Sequence, residues 1–90
     1  MPVNIGRTPD FLISAIEERN KGNIGMYHHC MRIYHGRIAD YLAWAEPHET
    51  GLSESDMRQC QIFHDQERYR HTAKLNIIDK QEREQRRNLK

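Results

Sequence analysis

Residues 53–86, SESDMRQCQIFHDQERYRHTAKLNIIDKQEREQR, decide the fold because neither glycine nor proline interrupts them. Ser53 and Asp56 form a variant of the helix capping box, with aspartate where glutamate or glutamine is usual. Pairs of opposite charge four residues apart, such as Asp79 with Arg83, favour the helix in its second half. The stretch therefore predicts one long helix over about 53–86.

Two shorter helices are predicted upstream of this segment. Thr8, Pro9 and Asp10 are typical of a helix start, and they predict a first helix over about 9–21. A second helix over about 24–45 is predicted by apolar residues spaced alternately three and four apart. These residues are Ile24, Tyr27, Met31, Tyr34, Ile38, Tyr41 and Ala45.

The sequence contains no convincing β-strand or hairpin pattern, so the fold class is expected to be all-α. Residues 1–90 are expected to form one domain, a short N-terminal helix followed by a long antiparallel helical hairpin. A chain of this length buries a limited core. We therefore expect further assembly into a helical bundle, as a homodimer or on a larger protein; the alternative is a monomeric three-helix bundle.

At 100° per residue, the third helix carries two apolar stripes on almost opposite sides. The first stripe consists of Ile62, Phe63, Tyr69, Ala73 and Ile77. The second stripe consists of Met57, Cys60, His64, His71, Leu75 and Ile78. We expect the second helix to cover the first stripe, which would leave the second stripe to bind a partner. Trp44 is expected to plug the end of the hairpin, and the alternative is that it joins the second stripe as a partner contact.

The second stripe also contains possible metal ligands. Cys60, His64, Glu67 and His71 share one side of the third helix, and His28 and His35 flank the seam of the second. If the two sides face each other, imidazole and thiolate groups can form a tetrahedral zinc site. Hydrogen bonding and packing across the interface without metal is nevertheless the expected arrangement, and the metal site is the alternative. A histidine-rich interface is expected to loosen near pH 6, where histidine titrates.

Charge is nearly balanced overall but unevenly distributed. The chain has 14 Lys+Arg against 13 Asp+Glu, a formal net charge of +1, which argues against a uniformly basic nucleic-acid binder. The predicted hairpin end is acidic, whereas the C-terminal end is basic. The basic end offers an alternative function in phosphate binding. Its candidate contacts are Arg83, Arg86, Arg87 and Lys90.

No motif in the sequence identifies a family, a catalytic centre or a cofactor. The nucleotide-binding glycine loops and the nucleophile elbow are both missing, so we expect a non-enzymatic protein without a cofactor. The sequence predicts no signal peptide or membrane span, and its two cysteines favour a reduced, cytoplasmic location. We expect a small regulatory, adaptor or inhibitor protein that acts by protein–protein interaction. A phage or mobile-element protein that binds a host enzyme fits this description.

Overall fold

The computed structural model describes residues 6–88, and these residues form four helices without a strand. The all-α prediction is therefore confirmed. The particle is elongated, with principal extents of 58 × 21 × 21 Å. The helices are α1 (Thr8–Asn20), α2 (Ile24–Trp44), α3 (Pro47–Thr50) and α4 (Glu54–Asn88).

Helices α2 and α4 form an antiparallel hairpin, and α1 packs against α2. The antiparallel direction follows from two contacts, since His28 meets His71 whereas His35, further along α2, meets His64. Gly36 is buried at this contact, where an added Cβ would lie 3.0 Å from Cδ of Arg68. The missing side chain leaves room for the stem of Arg68.

The short helix α3 lies where the sequence predicts only an acidic linker. Pro47 occupies its first turn, and the side chains and backbones of Glu46 and Glu49 form a reciprocal capping box. Gly51 ends the helix in a left-handed conformation with φ of 73°. Pro47 therefore both limits α2 and begins α3, since proline is favourable at the first helical position.

The core of the described residues is small and unusually polar. The buried apolar side chains are Ala15, Cys30, Ala39 and Met57. The buried polar residues are as numerous, namely Thr8, His28, His35 and His71. Thr8 does not cap α1, because its hydroxyl oxygen accepts a hydrogen bond of 3.2 Å from Nε of Arg37. The middle of the hairpin is thus occupied by imidazole rings rather than by aliphatic side chains.

The expectation about which stripe of the long helix is uncovered is wrong. The second stripe faces α2, since Met57 and His71 are buried and His64 and His71 hydrogen-bond to α2. The first stripe is exposed instead. Its large members keep about half or more of their surface accessible: Ile62 49%, Phe63 53%, Tyr69 63% and Ile77 57%. The reason is that the two buried histidines of α2, His28 and His35, find their hydrogen-bond partners on the second stripe.

Candidate functional site

Four histidines form a continuous cluster across the α2–α4 contact. Nδ1 of His28 lies 2.8 Å from Nδ1 of His71, and Nδ1 of His35 lies 2.8 Å from Nδ1 of His64. The rings of His35 and His71 stack between these two pairs, with centroids 5.7 Å apart and planes inclined by 12°. Each ring thus touches at least one other ring of the cluster.

The spacing of the histidines along the chain explains this arrangement. His28 and His35 are seven residues apart on α2, and His64 and His71 are seven apart on α4. Seven residues make about two turns, so each pair lies on one side of its helix. Because the helices run in opposite directions, the first histidine of α2 meets the second of α4. The sequence-based condition that the two sides face each other is therefore met.

Glu67 lies on α4 between His64 and His71 and joins the cluster from the side. One ligand atom each from His35, Glu67 and His71 lies within 4.8 Å of the other two. Oε2 of Glu67 is 3.8 Å from Nε2 of His71, while Oε1 is 3.4 Å from Nη1 of Arg70. The carboxylate is thus oriented with one oxygen toward the histidines and the other toward the surface.

Burial keeps the cluster uncharged near neutral pH. Loss of hydration is the main cause that lowers the pKa of His28, His64 and His71, and it lowers the pKa of His35 to about 4. The negative charge of Glu67 opposes this shift at His35, His64 and His71 without cancelling it. Neutral imidazole is the form that offers a lone pair to a metal ion.

Aromatic rings enclose the cluster on several sides. Tyr27 packs edge-on against His71 with centroids 5.8 Å apart, and Phe63 packs edge-on against His35 at 6.2 Å. Tyr34 approaches His64 at 6.5 Å in the same manner. These contacts limit the access of water to the imidazoles and hold the orientation of their rings.

The other predicted site residues lie outside this group. Cys60 is half-buried and does not belong to the ligand group of His35, Glu67 and His71. Leu75 and Ile78 are half-buried, and Ile78 lies 3.9 Å from where a Cβ on Gly25 would stand. The residues of the second stripe, which the sequence predicts to bind a partner, are therefore already buried or half-buried within the hairpin.

Trp44 does not plug the end of the hairpin, because 74% of its surface is accessible. It lines an open cleft together with Pro47, Glu54 and Arg58. A role as a partner contact remains a prediction for this residue.

The basic end of α4 is fully exposed in the described part of the chain. Arg83, Arg86 and Arg87 all lie on the surface, and Nε of Arg83 donates a long hydrogen bond of 3.4 Å to the carbonyl oxygen of Asp79. Lys90, the fourth predicted phosphate contact, lies outside the described residues. The nucleic-acid alternative remains a prediction.

Sequence reasoning placed Glu67 on the same side of α4 as His64 and His71 but did not predict that it lies beside His35, and it assigned the exposed side of α4 to the core. The signal for Glu67 was present, since a glutamate four residues before His71 shares its side of the helix. Searches against protein-family models, curated proteins and solved structures find no match to this chain. Among the described residues, none of the helices combines the length and hydropathy that crossing a membrane requires.

Proposed function

We propose that this chain is a non-enzymatic helical interaction protein, with a regulatory or adaptor role, that acts through the exposed side of α4. This side, the outer face of α4, consists of Ile62, Phe63, Tyr69, Ala73 and Ile77. The observation that carries the proposal is the exposure of four large apolar side chains on this one face. Exposed apolar patches of this kind mark interaction sites in soluble proteins.

The occupant that fits the outer face best is a second copy of the same chain in antiparallel orientation. The face has an isoleucine at each end, Ile62 and Ile77, and Tyr69 near its middle. Reversing the direction therefore again places an isoleucine at each end and Tyr69 near the middle. An antiparallel pair centred near Tyr69 places Ile62 of each copy opposite Ile77 of the other, which is a self-complementary two-fold arrangement.

The distribution of charge favours the same orientation. Residues 46–56 contain four acidic side chains and no lysine or arginine, whereas residues 80–88 contain four basic side chains and two acidic ones. In an antiparallel pair centred near Tyr69, the acidic end of one copy lies beside the basic end of the other. A parallel pair would bring like charges together, which is unfavourable.

The small core supports association for an energetic reason. Few apolar side chains are fully buried in the described residues, and single domains of this length are only marginally stable. Covering the outer face removes further apolar surface from water, and binding that favours the folded state stabilises it by mass action. Self-association therefore adds the burial that the hairpin lacks by itself.

Sedimentation equilibrium over a range of protein concentrations tests the proposal. We expect the wild-type chain to reach the mass of a dimer and Ile62→Glu to remain monomeric, since a charge buried within an apolar contact is costly. Ile13→Glu is the matched control, because Ile13 is equally exposed (55%) but lies on α1. A monomeric wild type, or equal loss of dimer in both variants, contradicts the proposal.

A cross-linking experiment tests the orientation. In an antiparallel pair, a chain with Ile62→Cys should form a disulfide with a chain carrying Ile77→Cys, whereas Ile62→Cys alone should not cross-link to itself. Both chains carry Cys60→Ser, which removes the half-buried native thiol of α4 from the reaction. Efficient self-cross-linking of Ile62→Cys would instead indicate a parallel pair and contradict the proposed orientation.

A further inference from the structure

The inner side of the hairpin holds a set of ligand atoms that the outer face does not use. His35 comes from α2, and Glu67 and His71 come from α4, so the group bridges the two long helices. His35 and His71 are buried and Glu67 is half-buried. Two imidazoles and one carboxylate are a recurrent set of three protein ligands for zinc, with the fourth position taken by water.

The distances are compatible with one shared ion. The ligand atoms of the three residues lie within 4.8 Å of one another. Zinc binds imidazole and carboxylate at about 2.0–2.2 Å, which places neighbouring ligands of a tetrahedral ion ~3.4 Å apart. The three atoms therefore need to approach one another by at most ~1.4 Å to share an ion.

The remaining two histidines, His28 and His64, offer hydrogen-bond partners that can hold the ligands in the tautomer that a metal ion needs. A hydrogen bond between two neutral imidazoles requires that one Nδ1 carries the proton and the other accepts it. If His71 donates to His28 and His35 donates to His64, each donor keeps a bare Nε2 atom. A histidine that ligates zinc usually donates its other ring N–H to a neighbour, which fixes both tautomer and ring orientation.

A purely structural role explains these residues less well. Neutral histidine pairs satisfy each other's Nδ1 atoms, but they do not need a carboxylate 3.8 Å from Nε2 of His71. That distance is too long for a hydrogen bond, whereas a bound cation would attract both atoms. The carboxylate also supplies the negative charge that offsets a divalent ion in a site with neutral imidazoles.

We propose that His35, Glu67 and His71 bind a divalent transition-metal ion of the zinc class, with His28 and His64 as the supporting hydrogen-bond partners. The ion joins α2 to α4 and acts as a structural clamp at the middle of the hairpin. The proposal does not rest on self-association, because none of the three ligand residues belongs to the outer face of α4; Phe63 at the edge of that face is its one member with a ring contact to the cluster.

Zinc binding at pH 7.5 is measured by competition with a chromophoric chelator and by native mass spectrometry with ZnCl₂. We expect one zinc per chain and a higher melting temperature when zinc is present. Glu67→Gln and His35→Gln should each weaken zinc binding by at least ~10-fold. The matched controls His29→Gln and Glu82→Gln, which alter residues outside the cluster, should bind zinc as the wild type does.

Circular dichroism of each metal-free variant separates lost binding from lost folding. Glutamine has nearly the same size as glutamate, and the side chain of Glu67 is partly exposed (22%). Glu67→Gln is therefore expected to fold like the wild type. A wild-type chain that retains no zinc at a slight molar excess overturns the proposal. Zinc binding that Glu67→Gln and His35→Gln leave unchanged also overturns it, since the ion would then lie elsewhere on the surface. Ile62→Glu should bind zinc normally, whatever its oligomeric state.

Discussion

His35 and His71 stack nearly parallel, with centroids 5.7 Å apart, although they come from helices that run in opposite directions. The stack connects two hydrogen-bonded histidine pairs into one unit, so the protonation of one ring affects the others. The positive charge that His64 or His71 would carry is one of the causes that lower the pKa of His35. The middle of the hairpin is therefore held by groups that must stay neutral.

We predict that acid destabilises the metal-free protein between about pH 6.5 and pH 4. The unfolded imidazole has a pKa of 6.5, whereas His35 in the fold has a pKa of about 4, lowered by burial, by His64 and by His71, against the opposing charge of Glu67. The unfolded state thus binds more protons in this interval, and stability decreases as the pH falls. The contribution of His35 is complete above pH 6.5, and its loss amounts to ~3 kcal/mol.

Urea unfolding in the presence of chelator, at several pH values from 7.5 to 4.5, measures this effect. His28, whose pKa is lowered by burial and by Lys74, adds to the loss in the same direction. His29→Gln is the control, because His29 is a histidine of α2 that lies outside the cluster. A free energy of unfolding that is constant from pH 7.5 to 5 would contradict the prediction.

The helices could be predicted from the sequence because their signals are local. Ser53 caps α4 through a hydrogen bond from the backbone N–H of Asp56, as the capping pattern predicts. Asn23 caps α2 by accepting from the backbone N–H of Met26. Helix α3 is harder to predict, because Pro47 is compatible both with the end of α2 and with the start of a new helix, and α3 is only four residues long.

The covered side of α4 could not be predicted from local signals. Both stripes contain a similar number of apolar residues, so hydrophobicity alone does not distinguish them. The decision depends on hydrogen bonds between residues far apart in sequence, such as His28 and His71, separated by 43 positions. The ring nitrogens of histidine need hydrogen-bond partners once they are buried. A pattern of hydrophobic residues does not contain the positions of those partners.

Replacing Gly51 or Gly25 by alanine should change the free energy of unfolding in opposite directions. Gly51 has φ of 73°, so Gly51→Ala is strained and should lower the free energy of unfolding by ~1 kcal/mol. Gly25 is helical, and an added Cβ would make an ordinary contact with Ile78 at 3.9 Å. Gly25→Ala should therefore raise the free energy of unfolding by up to ~1 kcal/mol. Chemical denaturation of both variants checks this, and a shift of the same sign in both would refute it.

The two cysteines should differ in their reactivity toward a thiol reagent. Cys30 is buried, and its pKa is raised by burial and by the negative charge of Glu18, so little thiolate is present at pH 7.5. Cys60 is half-buried and more accessible. We expect Cys60 to be modified first, with Cys30 modified at the rate at which α1 and α2 separate. Mass spectrometry of timed aliquots, with Cys60→Ser as reference, measures both rates; equal rates in native buffer would be the contrary result.

Replacing one histidine of a hydrogen-bonded pair by leucine should lower the free energy of unfolding more than replacing both. His71→Leu leaves Nδ1 of the buried His28 without its partner, and an unpaired buried polar atom costs ~1–3 kcal/mol of stability. The double variant His28→Leu/His71→Leu removes the unpaired group and places apolar side chains in the core. It should therefore recover most of the lost stability in the metal-free protein, since replacing a buried polar pair by apolar groups is often neutral or stabilising.

A double-mutant cycle by urea unfolding at pH 7.5, with chelator present, measures this coupling. The single variants His28→Leu and His71→Leu should both be less stable than the double variant. If the effects of the two substitutions simply add, the 2.8 Å contact contributes no pairwise energy, and the cluster cannot be what holds α2 to α4. The double variant should also lose the acid sensitivity that His28 and His71 contribute, because it retains only His35 and His64 to titrate in the core.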